Sequence, residues 1–130
     1  YPTVSPGTLR EDLLRRDFTI NAMAMALPPR AFGTLVDVFG GARDLNARRL
    51  RVLHARSFVD DPSRILRAAR LVRRYRLSLE ADTGRWLRQA LGAGLLSKLN
   101  RGRIRKELLR MLEEPDPVAC LAQVGRWVEG

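Results

Sequence analysis

From residue 60 onward, apolar positions recur every three or four residues. At about 100° per residue, Ile65, Ala68, Ala69, Val72 and Tyr75 fall on one arc of a helix. Arg64, Arg67, Arg70, Arg73 and Arg74 fall on the opposite side. Asp61-Pro62 places an oxygen-bearing cap before a proline, a strong start for this helix, which is expected to run to about Arg76. Asp82 or Thr83 is expected to open a second helix, running to Leu91 and ended by Gly92 and Gly94. A third spans Arg101 to Glu114 and stops at Pro115, and Asp116-Pro117 opens a last one reaching about Val128.

The first half is patterned differently. Pro2, Pro6 and Gly7 mark a loop, and Thr8 caps a short helix through Arg15. Ile20 to Leu27 is rich in Ala and Met and reads as a short buried helix halted by Pro28-Pro29. Thr34 to Phe39 reads as a strand, Gly40-Gly41 as a turn, and Arg49 to His54 as a second strand. The pattern therefore predicts an α+β chain that is mostly α, with a soft boundary near residues 55–60.

Composition narrows the function classes. A chain of 130 residues with 45% hydrophobic content can bury a core, as one domain or two small ones. Its longest uncharged stretch, Phe18 to Pro29, has 12 residues, short of the roughly 20 a membrane helix needs. No signal peptide opens the chain, and the missing initiator Met suggests a piece of something longer. Cys120 is the only cysteine and His54 the only histidine, which excludes an internal disulfide and a Cys/His zinc site. A lone cysteine suits a reducing compartment, so a cytoplasmic location is expected.

The net charge of +10 is concentrated. Residues 1–42 are neutral, residues 43–110 carry +13 and residues 111–130 carry −3. A central basic block of this kind suits a polyanionic partner. Of the 24 basic residues 22 are Arg, whose planar fork grips a phosphate or a base edge at two points.

Asp61, Arg64, Arg67 and Arg70 recur at intervals of three along one ridge. The plain reading is a capping Asp and a solvated basic face. The chemical reading is sharper. A carboxylate only accepts hydrogen bonds and an Arg only donates them. Side by side they match a base edge that offers an amino donor beside a ring-nitrogen acceptor. Cytosine and adenine present that edge, whereas guanine and uracil turn a ring N–H toward the guanidinium. An Asp–Arg pair on a helix can thus select C and A without a template. A non-catalytic RNA-binding helical module would have no need of the carboxylate.

Four segments carry a family resemblance. Leu14-Arg15-Arg16-Asp17-Phe18-Thr19-Ile20-Asn21-Ala22-Met23-Ala24 resembles the RRDFTINAMA motif of the bacterial tRNA nucleotidyltransferase / poly(A) polymerase family. Asp37 to Leu45 is similar to its DPFGG…DL segment, Asp60 to Arg70 to its EDPLRILRAAR motif, and Arg103 to Leu109 to its RIxxELL segment. The resemblance covers about residues 9–112 in family order. It implies a class II nucleotidyltransferase that adds C and/or A to tRNA 3′ ends from CTP and ATP, or a poly(A) polymerase. Residues 1–55 would be the strand-containing back of the catalytic head, and residues 56–130 the helical neck with the start of the body. Asp61 and Arg64 would read the base. Arg16, Arg67 and Arg70 would contact the nucleotide, with Asn21 shaping the same pocket. Arg73, Arg74, Arg101, Arg103 and Arg105 are candidates for tRNA backbone contact. Asp60 stands where the motif has Glu.

The family's catalysis needs a DxD carboxylate pair holding Mg2+, and these 130 residues contain no such segment. Without one there is nothing to activate the 3′ hydroxyl. The 130 residues alone are therefore expected to show no transferase activity. Met23 and Met25 read as core, His54 as a strand-end residue, Trp86 and Trp127 as core or interface, and Cys120 as a buried thiol.

Overall fold

The computed structural model describes residues 17–25, 35–37 and 39–129. A 3-10 turn, Thr19–Asn21, leads into strand β1, Met23–Met25. β1 pairs antiparallel with β2, Leu35–Asp37, with Ala24 opposite Val36. The buried helix expected from Ile20 is therefore a turn followed by a strand. Its Met-Ala-Met run had no period to separate the two. The helix expected from Thr8 lies outside the described residues.

Helix α1 spans Gly41–Asn46, where the glycine pair was expected to form only a turn. Its start is held from a distance. The Asp37 carboxylate accepts from Gly41 N at 2.7 Å and Ala42 N at 3.0 Å. Gly40, at φ 77°, takes the left-handed backbone that lets Asp37 reach over. Asp44 on α1 is buried and accepts from Thr19 Oγ1 at 2.6 Å and Arg51 Nε at 3.1 Å, tying the 3-10 turn to the chain beyond α1.

The expected second strand is shorter than its pattern. β3 is Arg49–Leu50, parallel to β4, Ser78–Leu79, and Val52 adds one bridge to Phe18. A one-turn helix, α2 (Ser57–Asp60), precedes α3, Ser63–Tyr75. Asp61 opens α3 as expected, its carboxylate accepting from Ser63 N at 3.1 Å. α4 is Ala81–Gly92, α5 Arg101–Leu112 and α6 Pro117–Glu129. Asn100 caps α5 through Arg103 N, and Asp116 caps α6 through Ala119 N.

α3 is the central element. Ile65, Ala68 and Val72 join Phe18, Leu50, Val52, Phe58 and Leu87 in one core cluster. Leu66 and Ala69, on its other flank, meet Met111 and Cys120. Trp86 and Trp127 pack against the first cluster, half-buried. Residues on both sides of the expected boundary at 55–60 thus share one core. Tyr75, expected on the apolar arc, is 44% exposed, and Arg74 stacks on its ring at 5.5 Å.

Glu80, not Asp82 or Thr83, caps α4, accepting from the backbone of Asp82 and of Thr83. Burial pushes its carboxyl up, but those two bonds, the Thr83 hydroxyl and Arg51 outweigh it and hold it below its ordinary value. A depressed folded value means the cap contributes stability above the unfolded value, about 4.3. That contribution is lost as pH falls through the folded one. Glu80→Gln should flatten the fall in stability as pH drops below about 4.3, followed by urea denaturation at each pH. An unchanged slope would contradict the assignment.

Candidate functional site

The start of α3 gathers charges from three parts of the chain. Asp17 precedes the 3-10 turn, Asp61 and Arg64 lie at the mouth of α3, Arg67 sits one turn on, and Arg103 and Glu107 come from α5. Arg67 is the hub. Its Nη1 donates to both Asp17 oxygens at 2.6 Å, and its Nη2 donates to Asp61 Oδ2 at 3.0 Å and Ser63 Oγ at 2.6 Å. Its Nε donates to Glu107 Oε1 at 3.1 Å. Arg64 Nε donates to Asp17 Oδ1 at 3.1 Å, and its Nη1 to the Ser57 carbonyl at 2.9 Å. Asp61 Oδ1 accepts from Ser63 Oγ at 2.6 Å and, at 3.4 Å, from Arg103 Nη1.

Electrostatics keep both signs ionised. Burial raises the Asp61 carboxyl, but the Ser63 hydroxyl, Arg67, the Ser63 amide and Arg103 together bring it below its ordinary value. Burial lowers Arg67, but Asp17, Glu107 and Asp61 more than reverse that. A carboxylate that only accepts and a guanidinium that only donates are thus held together at the start of α3, 3.0 Å apart.

The arginine ridge is not a solvated face along its length. The contacts Asp61–Arg103, Arg67–Glu107 and Arg74–Glu114 advance together along α3 and the α5 segment. The two therefore run side by side in the same direction, and their acids and bases interlock. Arg70 meets Glu114 only as an ion pair at 3.7 Å, and its Nε is buried without a hydrogen bond. Ser63, Arg67, Arg103, Lys106, Glu107 and Arg110 line a cleft of about 280 Å³.

The other expected site residues are dispersed. Asn21 is exposed on the 3-10 turn, outside the Arg67 network. Arg16 lies outside the described residues. Arg73 is exposed and lines a groove of about 570 Å³ between α3 and α6, while Arg101 and Arg105 are exposed on α5. Asp60 pairs with Arg56 at 3.5 Å and stands 3.9 Å from His54 Nε2. Cys120 is buried as expected, and burial followed by Glu114 pushes its thiol up. The side chains of Met23 and Met25 lie outside the described ones.

Asp17, Ser63 and Glu107 were not singled out by spacing. Each stands within a recognisable motif, but their pairing is long-range: Arg67 and Asp17 are 50 residues apart, Arg67 and Glu107 40. As for the metal, no group of three His, Cys, Asp or Glu side chains among the described residues could hold an ion. The acids at the mouth of α3 are each matched to arginines, a donor set that does not fit Mg2+. No step through a metal is assigned to these residues.

Residues 2–51 match the family model described as the poly A polymerase head domain. The A-adding tRNA nucleotidyltransferase of Aquifex aeolicus (strain VF5) is 50% identical over 114 residues, which are 88% of this chain and 14% of that protein. The structure of a CCA-adding enzyme in complex with CTP superposes with a TM-score of 0.90 at 48% identity, covering 95% of this chain and 30% of that one. The Thermotoga maritima CCA-adding enzyme complexed with tRNA_CCA gives a TM-score of 0.87 at 48% identity, covering 94% and 30%. The chain thus spans about a third or less of the proteins it matches.

Proposed function

The chain belongs to the poly(A) polymerase and tRNA nucleotidyltransferase family, and from that premise we propose that it is the nucleotide-selecting part of an enzyme that adds C and/or A to tRNA 3′ ends. In this reading the residues up to about 55 are the back of the head, and those from 56 onward are the neck and the start of the body. Asp61 and Arg64 read the base of CTP or ATP. The observation that carries this is their common anchorage: Arg67 touches Asp61 at 3.0 Å and Asp17 at 2.6 Å, and Asp17 holds Arg64 at 3.1 Å.

Asp61 accepts the amino group of cytosine or adenine, and Arg64 donates to the neighbouring ring nitrogen. The contact a base amino group replaces is the longest on Asp61, the 3.4 Å approach of exposed Arg103. Guanine or uracil would instead set a ring N–H donor against the guanidinium donor, and a good bidentate base contact discriminates by roughly 1–3 kcal/mol. Arg70, 20% exposed and one turn beyond Arg67, is the phosphate contact within α3. Arg16 and Asn21 complete the pocket. Arg73, Arg74, Arg101, Arg103 and Arg105 give the tRNA backbone a basic surface on α3 and α5, and phosphate contacts of this kind position without specifying.

The test is extension of a tRNA lacking its 3′ end by the longer protein that carries this chain. Incorporation of C or A, and not of G or U, is expected. Incorporation of none of the four, or of all four alike, would overturn the proposal.

A further inference from the structure

We propose that the groove between α3 and α6 is a second binding site, for a nucleotide unit held by its phosphate, and that it does not depend on the base-reading assignment. α3 has 13 residues, so at about 1.5 Å per residue the groove lies roughly 18 Å from the Asp61 end. Its volume of about 570 Å³ is of the size that holds a small ligand. Its floor is apolar: Val72 is 9% and Leu77 5% exposed, and Ala119 of α6 closes it. Arg73 and Arg76, both exposed, line it as well, and Gln123 adds an amide that donates and accepts.

Ion pairing sets these two arginines apart. Arg64 and Arg67 are matched by Asp17, and Arg70 and Arg74 by Glu114. Among the described residues no acid pairs with the guanidinium of Arg73 or of Arg76. Asp116 lines the groove too, but its carboxylate is engaged as the cap of α6, accepting from Ala119 N at 3.0 Å. Two unmatched forks three residues apart at one helix end suit a single phosphate.

The backbone at Arg76 is the second observation. It takes φ 54° and ψ 51°, the left-handed region in which a side chain is strained and glycine is favoured after a helix. Leu77 N closes the turn on the Val72 carbonyl at 3.0 Å, a bond that glycine at 76 would serve equally well. The fold thus bears strain for a guanidinium that has no partner within it, as functional positions do. The apolar floor narrows the ligand class. A bare phosphate has no use for Val72 and Leu77, whereas the sugar and base of a nucleotide cover them. A unit of an RNA strand and a free nucleotide share this chemistry.

The experiment uses the longer protein as wild type, Arg76→Gly and Arg73→Gln. It combines urea denaturation, filter binding of tRNA lacking its 3′ end, and equilibrium dialysis of AMP and of CTP. Arg76→Gly relieves the strain, so its urea midpoint should be unchanged or higher. Its tRNA affinity should fall about threefold or more, with the salt slope between about 50 and 200 mM shallower by roughly 0.7–0.9 and CTP affinity unchanged within about twofold. Arg73→Gln should show the same binding loss. That result places a unit of the RNA strand in the groove. If tRNA binding holds in both variants but each binds one AMP fewer than the wild type, the occupant is a free nucleotide and the site stands. No change in either ligand overturns the proposal. So does a lower urea midpoint with tRNA and CTP weakened together, which would mean that the arginines serve the fold.

Discussion

Asp61→Ala should erase the preference for CTP and ATP over GTP and UTP while leaving RNA affinity nearly intact. The side chain is the only acceptor of the proposed reading pair, and alanine offers the base amino group nothing. A good bidentate base contact discriminates by roughly 1–3 kcal/mol, so CTP and ATP should lose about that much and GTP should lose little. RNA affinity should survive because the backbone-facing cations on α5, Arg101 and Arg105, are exposed and make no contact with Asp61. Removing the carboxylate also frees Arg103, and a freed cation near the RNA surface strengthens rather than weakens polyanion binding. Single-nucleotide incorporation kinetics with each triphosphate, beside filter binding of tRNA, separate the two effects. Equal loss in nucleotide selection and RNA binding would mean Asp61 supports the fold rather than the choice of base.

The second large effect is on stability. Glu107→Ala should cost the chain about 3 kcal/mol, the lower end of what breaking a buried ion pair costs. Glu107 is 5% exposed and holds Arg67 Nε at 3.1 Å across the α3–α5 contact. Alanine would leave a desolvated guanidinium nitrogen without an acceptor. The cost stays at the low end because Arg67 keeps Asp17 and Asp61. Glu107→Gln retains an acceptor for Nε and should lose less than half as much. Urea denaturation of the three proteins measures this, and a Glu107→Ala loss below about 0.5 kcal/mol would show that the network carries orientation but no stability.

How much of this was legible depended on distance along the chain. From residue 61 onward the signals are local: a cap, a proline or glycine, and an apolar period. The four long helices followed from them, with errors only at ends such as the Glu80 cap. α1 was missed because its cap, Asp37, reaches over a left-handed Gly40 from outside the helix. Ile20 to Leu27 was misread because an Ala- and Met-rich run carries neither period. β1 is set by its pairing to β2, which no local window contains.

The candidate site divides the same way. Asp61 and Arg64 stand out by spacing and by the matching chemistry of a carboxylate and a guanidinium. Asp17 and Glu107 reach Arg67 only through the fold. Arg67 and Arg70 look equivalent in the i, i+3 ridge, yet the first makes five hydrogen bonds and the Nε of the second makes none. The difference comes from Asp17 and Glu107, which reach Arg67 from outside α3 and which no helical wheel of α3 can show.

The claim that this segment chooses the nucleotide by its base edge is tested most directly by equilibrium binding of CTP, ATP, GTP and UTP to the longer protein, without RNA. CTP and ATP should bind more tightly than GTP and UTP by about tenfold or more, within the roughly 1–3 kcal/mol of a bidentate contact. GTP binding as tightly as CTP would contradict the claim.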